Sequence, residues 1–538
     1  MQRREFLRTS SMAGALLAFG RTASWAHSAD ARIEILVNEP IGKISPNVYG
    51  HFTEHIGGVI YDGVWVGKDS KIPNQGGIRS ALLERLKQIR APIIRWPGGC
   101  FADSYDWRDG IGEAKERPTR TNFWEVHPDA VRLNEKGPQI FETNAFGTDE
   151  FVQFCRLSGA QPYIAANLRS LSALDFDHWV EYCNSPAGST SLAGKRSAQG
   201  FPDPFNVRYW GIGNESWGCG GNLTPEDYAS EFRRFTAWVP HYGLDLQLIG
   251  SGPNGNDMDW THRFFEQLFS GRPYQNSSFV GWSVHHYSFG KHATQYDSLD
   301  WYRILQESSR IEQIIGDQWA TMGQYDHDHQ VKLVVDEYGP WYQEGTEVDT
   351  THIFGQQITM RDALATALTL DTFNRNPEKV GIATCAQLVN NLNALFLAHG
   401  NRFIETPNFH VFAMYSDHQG AQAVRAEFSA PDVHYMENGK SVALWGLKGS
   451  ASIRGKTVKL TAVNPVLTES KAVQVAVTGA EVKAALATVL TAGDVHAHNS
   501  FDQPEVVRIG TLEVSISTGI INLVIPAASV TSVEITIA

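Results

Sequence analysis

Val207-Arg208-Tyr209-Trp210-Gly211-Ile212-Gly213-Asn214-Glu215 opens apolar and closes polar, and Thr224-Pro225-Glu226-Asp227 follows shortly after. The apolar run, Val207–Ile212, is too short for a helix and is rich in aromatic and β-branched residues, so it reads as a buried strand. Thr224 suits a helix N-cap, Pro225 fits the first helical position, and two acids favour the first turn. Tyr228, Phe232 and Phe235 then share one face, the buried stripe of a helix. The segment is one strand, one loop and one helix.

The same unit recurs on both sides of it. Further apolar runs are Asn47–Phe52, Ile93–Trp96, Pro162–Ala166, Gln247–Gly250, Gly281–His285, Lys332–Val335 and Gly381–Leu388. Amphipathic stretches lie between them, such as Ile78–Ile89 with Leu82, Leu83, Leu86 and Ile89 on one side. Eight strands alternating with helices predict an α/β fold, a parallel (β/α)₈ barrel. An open doubly wound sheet is the alternative, but no Gly-x-Gly-x-x-Gly follows the first strand to recommend a nucleotide site. After about residue 410 the period changes to two. Val442–Leu447, Val458–Val463, Val473–Val477, Leu512–Ile516 and Val530–Ile537 alternate between Gly, Asn and Pro, which predicts a jelly-roll-like β-sandwich. Arg32–Val37 is also strand-like and is expected to complete that sandwich. The division that follows is 1–29 as an address, 30–46 as a strand joining the sandwich, 47–410 as the barrel and 411–538 as the sandwich.

Composition narrows the function. Of 538 residues, 42% are apolar, enough for a large core, and the net charge of -13 argues against nucleic acid as a partner. Fifteen Trp and seventeen Tyr suit a sugar cleft as well as a core. Five cysteines are few and odd in number, so a disulfide framework does not hold this fold; one pair stays open. Arg3-Arg4-Glu5-Phe6-Leu7-Arg8, the apolar run Met12–Phe19 and the small residues up to Ala26 or Ala29 form a twin-arginine pattern. It predicts a periplasmic or secreted protein with no membrane span in its mature form.

In a barrel of this kind, functional groups project from the C-terminal ends of the strands. Here those ends read Phe52-Thr53-Glu54-His55, Arg95-Trp96-Pro97-Gly98-Gly99-Cys100, Gly213-Asn214-Glu215-Ser216, His285-His286-Tyr287, Asp336-Glu337-Tyr338 and Gln387-Leu388-Val389-Asn390. Glu215 and Glu337 stand out, three strand–helix units apart. Cleaving an acetal needs one carboxylic acid to protonate the leaving oxygen and one carboxylate on the other side of the ring. Asn214 can hydrogen-bond a sugar hydroxyl, and the glycines before it leave room for a ring.

These motifs together resemble glycoside hydrolase family 51, typified by α-L-arabinofuranosidases. The resemblance runs from Asn47 to Asn390 and into the trailing sandwich. It rests on Phe-x-Glu-His-Ile-Gly at 52–57, Arg-Trp-Pro-Gly-Gly-Cys-Phe-Ala-Asp at 95–103, Trp-Gly-Ile-Gly-Asn-Glu at 210–215, Val-Asp-Glu-Tyr at 335–338 and Ala-Gln-Leu-Val-Asn at 386–390. It implies a barrel with a C-terminal β-sandwich. It also implies Glu215 as general acid/base and Glu337 as nucleophile, roughly 5–5.5 Å apart in a retaining enzyme. Glu54, Asn214, Tyr287 and Gln387 would hold the sugar, Arg95 and Tyr287 would lie against Glu337, and His285 near Glu215, whose acidity its site should weaken. Some family members carry Asn in place of Cys100; a contact through the backbone N–H there would survive the change. Cys219 belongs on the same rim, and a Cys100–Cys219 disulfide and two unpaired thiols both stay open.

The activity implied is exo-acting release of terminal α-L-arabinofuranosyl groups from arabinoxylan, arabinan or their oligosaccharides, with no cofactor or metal, by a homo-oligomer. Endo-glucanase or β-xylosidase action on the same machinery is the nearest alternative, and a non-catalytic sugar-binding protein a more distant one. His51-Phe52-Thr53-Glu54-His55 matches a zinc-protease pattern, but that reading needs a helix and this stretch is expected to end a strand. Asp326-His327-Asp328-His329 reads as a solvated loop, and Trp107 and Trp341 as either cleft or core.

Overall fold

The computed structural model describes residues 29–126, 139–270, 274, 276–343 and 353–538. The twin-arginine pattern and its apolar run lie outside them. A first strand, β1 (Ala31–Lys43), stands apart from the barrel. The barrel strands are β2 (Gly50–Phe52), β3 (Ile93–Trp96), β4 (Gln161–Ala166), β5 (Tyr209–Ile212), β6 (Gln247–Gly250), β7 (Phe279–Gly290), β8 (Lys332–Tyr342) and β9 (Val380–Cys385). Each pairs in parallel with the next and β9 closes on β2, so the eight apolar runs form the (β/α)₈ barrel they predict. Helices such as Ser80–Gln88, Pro225–Thr236 and Met360–Arg375 pack their apolar faces around it. Thr224 caps the second of these, its hydroxyl accepting from the Asp227 N–H at 3.2 Å.

Ile93, Tyr163, Ile249, Val334 and Ile382 meet inside the barrel. Side chains alternate along a strand, so Arg95 follows Ile93 and Asp336 follows Val334 on the inner face. The lumen therefore changes from apolar to ionic toward the C-terminal mouth.

Several element ends differ from the sequence reading. Pro46–Tyr49 coils into a 3₁₀ turn with Ser45 accepting from the Asn47 N–H, so the first barrel strand begins at Gly50 rather than Asn47. β7 and β8 run on past the rim and pair as far as Gly290 and Tyr342, beyond the expected ends at His285 and Val335. Their polar residues look like loop in sequence but lie in a ladder. The last barrel strand stops at Cys385 instead of Leu388.

The sandwich strands form one ten-stranded sheet, in which β1 lies between Gln422–Ser429, antiparallel, and Lys471–Thr478, parallel. Ile33 and Ile35 enter its core beside Val424, Val475, Leu523 and Ile535. Val442–Leu447, expected in the sandwich, falls instead partly on a strand, Lys440–Leu444, that pairs with Val433–Glu437 in a separate hairpin. A helix, Pro407–Tyr415, spans the division expected at 410/411.

Candidate active site

The centre of the site is a bulge in β8. Ser283 pairs with Val334 and His285 with Glu337, so β8 carries one residue more than β7 over this step. A bulge of this kind re-aims side chains and lets consecutive residues share a face. Asp336 and Glu337 both turn inward as a result. Arg95 Nη1 donates to Glu337 Oε1 at 2.9 Å, and the Tyr287 hydroxyl donates to Glu337 Oε2 at 2.8 Å. Arg95 Nη2 donates to Asn214 Oδ1 at 2.6 Å, and its Nε stands 3.4 Å from Asp336.

Glu215 enters from the loop after β5. His285 Nδ1 lies 2.9 Å from Glu215 Oε1 and 3.5 Å from Glu337 Oε2. The imidazole also faces Asp336 Oδ1 through Nε2, at 3.2 Å. Burial would push this imidazolium down, but the charges of Glu337 and Asp336 and the hydrogen bonds to Asp336 and Glu215 outweigh it and hold His285 well above its usual value. The charged ring then donates at both nitrogens. One carboxylate oxygen from Glu215 and one from Glu337 lie within 4.8 Å of each other and of the ring. Asp336, though buried, is held well below the carboxylate range by Arg95, His285 and Ser283; Tyr163 also donates to it at 2.9 Å.

Glu54, at the end of the first barrel strand, accepts the N–H groups of Gly99 and Phe101 on Oε1 at 2.9 and 3.0 Å. Gln387 Nε2 donates to its other oxygen at 2.9 Å. Burial, then the charge of Glu337, pushes Glu54 up to about 7. Gly99 is squeezed in this cluster, since a Cβ there would stand 2.5 Å from Glu337 Oε1. Cys100 and Cys219 are joined by a disulfide, the first of the two states left open by the sequence. Its sulfurs lie 3.9 and 3.6 Å from Glu215 Oε2.

The two acids, Glu54, Cys100, His285, Tyr287 and Gln387 all line one cavity of about 480 Å³. Arg95 and Asn214 brace it from behind. Trp341 and Phe289 from the β7–β8 extension wall one side, and Trp124 and Trp217 another. Sequence reasoning did not single out Trp124, Trp217, Phe289 or Asp336 for the site. Asp336 could have been found, because it sits beside Glu337 at a strand end. Of the two tryptophans left undecided, Trp341 lines the cavity while Trp107 is buried against Trp179. His51 and His55 flank a strand end: His51 packs on Phe412, and His55 is paired with Glu142 at 2.7 Å. In the Asp326–His329 loop, His329 stacks on Trp319.

Three comparisons bear on this geometry. The α-L-arabinofuranosidase 1 domain matches residues 85–302, and the α-L-arabinofuranosidase C-terminal domain matches residues 336–529. An intracellular exo-α-L-arabinofuranosidase of Bacteroides ovatus is 33% identical over 520 residues, covering 95% of this chain and 97% of its own. Among solved structures, the family 51 arabinofuranosidase of Xanthomonas axonopodis pv. citri superposes with a TM-score of 0.86 at 33% identity, covering 95% of this chain and all of the other. The arabinose complex of the Thermotoga maritima α-L-arabinofuranosidase superposes with a TM-score of 0.81 at 28% identity over 94% of this chain. A paired-carboxylate cavity in this barrel, whole-length identity and both domain matches agree: the chain belongs to glycoside hydrolase family 51, the α-L-arabinofuranosidases.

Proposed function

We propose that the chain is a retaining, exo-acting α-L-arabinofuranosidase that removes terminal non-reducing arabinofuranosyl groups from arabinoxylan, arabinan or their oligosaccharides. The observation that carries this reading is the approach of the Glu215 and Glu337 oxygens to within 4.8 Å. An approach this short fits the roughly 5–5.5 Å of retaining enzymes better than the roughly 6.5–9.5 Å of inverting ones, which must admit a water.

Glu337, held by the Arg95 guanidinium and the Tyr287 hydroxyl, attacks the anomeric carbon. Glu215 Oε1 faces His285 Nδ1 at 2.9 Å, which leaves Oε2 as the oxygen to carry the proton of the general acid. That proton passes to the leaving oxygen as the glycosidic C–O bond breaks. In the second step Glu215, now a carboxylate, takes a proton from water, and the water oxygen displaces Glu337 and releases arabinose. Glu54, Tyr287 and Gln387, which line the cavity, are suited to the sugar hydroxyls. A cavity of about 480 Å³ suits a terminal residue better than a running chain, and the Bacteroides ovatus relative is named as an exo enzyme.

The test is hydrolysis of p-nitrophenyl α-L-arabinofuranoside by wild type and by Glu337→Ala, with proton NMR on the first sugar released. Retained configuration and an inactive variant support the reading. Equal turnover by both proteins, or an inverted first product, would overturn it. Export is proposed from the Arg3–Arg8 pattern alone. Replacing Arg3 and Arg4 with Lys should then trap the protein in the cytoplasm; export unaffected by that change would sink the idea. A homo-oligomer, suggested by family resemblance alone, is checked by light scattering.

A further inference from the structure

Glu215 sits in backbone geometry that side chains resist, with φ at +40°. A non-glycine residue there is strained and persists only where its surroundings over-determine it. The loop beyond it turns back at once: the N–H groups of Gly218 and Gly220 donate to the Glu215 carbonyl at 2.7 and 3.1 Å. A Cβ on Gly220 would lie 1.8 Å from the Asn214 carbonyl oxygen and 2.9 Å from Asp103 Oδ2.

Asp103 is the group on the far side of that turn. Its carboxylate is fully buried and lies outside the sugar cavity. Oδ2 accepts the Asn214 N–H at 2.9 Å; Oδ1 accepts the N–H groups of Leu168 and Arg169 at 2.8 and 3.1 Å. One side chain from the loop after β3 thereby ties down the ends of β4 and β5. The bond to Asn214 falls one residue before Glu215, and the side chain of that Asn already takes Arg95. Burial pushes Asp103 up to about 7 despite three donors, so the carboxylate is retained there at a cost.

We infer that Asp103 is a positioning residue for the acid/base: it fixes the turn that presents the Glu215 carboxyl to the leaving oxygen. This rests on the assignment of Glu215 made above. Asp103 touches no substrate, and its effect passes through the Asn214–Glu215 backbone. A residue that served only to stabilise the loops would weaken all substrates alike. One that aims a proton donor weakens them in proportion to their need for a proton.

The experiment is kcat/KM for wild type and Asp103→Asn on aryl α-L-arabinofuranosides, from the dinitrophenyl glycoside to the phenyl glycoside. Phenol is a poor leaving group and requires protonation; dinitrophenolate does not. In the variant the phenyl substrate should lose roughly tenfold or more, a fraction of what a general acid supplies. The dinitrophenyl substrate should stay within about threefold of wild type, with kcat and KM falling together as glycosyl-enzyme accumulates. Equal losses across the series, or none, would overturn the inference. If Asp103→Asn does not fold, Gly220→Ala displaces the same turn from its other side. The same leaving-group trend is expected there, and a uniform loss counts against the inference. A wild type that cleaves none of these substrates would instead overturn the assignment of Glu215.

Discussion

His285 Nε2 and Asp336 Oδ1 face each other at 3.2 Å, on the side of the ring away from Glu215 and Glu337. Asp336 therefore shares with the reacting acids the job of keeping the imidazole charged. In Asp336→Asn the ring should lose its proton at lower pH and kcat should fall roughly tenfold or more. A pH–rate profile checks this: the basic limb should move to lower pH. A basic limb that stays in place would show that Glu215 and Glu337 suffice to hold the proton.

Gly99→Ala tests how tightly the nucleophile is housed. The added methyl would meet Glu337 Oε1 at 2.5 Å, against a side chain already held by Arg95 and Tyr287. A displacement near 1 Å at a reacting group costs about 100-fold. The expected outcome is that loss in kcat with Tm close to wild type, read by steady-state kinetics and calorimetry. Full activity in this variant would mean that Glu337 has room to move.

The Cys100–Cys219 bridge closes a loop across 119 residues. Replacing both cysteines with Ser should cost about 2–4 kcal/mol of stability. Calorimetry should show a lower Tm than wild type. Thiol titration of the denatured, unreduced protein should return the three buried cysteines, Cys155, Cys183 and Cys385. A count of five would place both partners in the reduced state.

Stability should decline from acid toward neutral pH. Burial pushes Glu54 and Asp103 up to about 7 from ordinary values of 4.5 and 3.8. Asp149 rises to about 7 and Asp371 to about 6 for the same reason. Each group binds its proton more tightly folded than unfolded. The stability this gives is complete below the unfolded value and is lost as pH rises through the folded one. His285, also raised, has the same sign. Asp336 and two buried histidines have the opposite one: Asp336 is held low, so its contribution is lost only below 3.8, and His51 and His418, pushed by burial down to about 3, add stability as pH rises to 6.5, which offsets the four raised acids only in part. Tm should be higher near about pH 5 than near about pH 7.5. A steady rise across that interval would falsify the assignment of these acids.

The barrel was legible because its strands are short apolar runs with polar ends. Ile93–Trp96 and Gln247–Gly250 coincide with the observed strands residue for residue. The polar ends also located the rim, and with it Glu54, Glu215 and Glu337. The extension of β7 and β8 was hidden because His286, Ser288 and Pro340 carry no apolar alternation; their pairing comes from the neighbouring strand, not from local pattern. Asp103 was hidden for another reason. A buried carboxylate and a surface one have the same letter in a sequence, and only the donors gathered around it tell them apart. Trp124 reaches the cavity from a strand pair, Arg120–Val126 with Gln139–Glu142, that stands outside the strand–helix alternation of the barrel.

The placement of β1 has a consequence for how the protein is made. This strand leaves the ribosome before any of the barrel, yet both of its neighbours, Gln422–Ser429 and Lys471–Thr478, are translated near the end. Through most of synthesis an apolar ribbon with two open edges must wait without a partner, a state prone to association with other nascent chains. Pairing of the first strand thus waits for the last quarter of the chain, and a stop codon before Gln422 would leave the start of the polypeptide unpaired as well as its end.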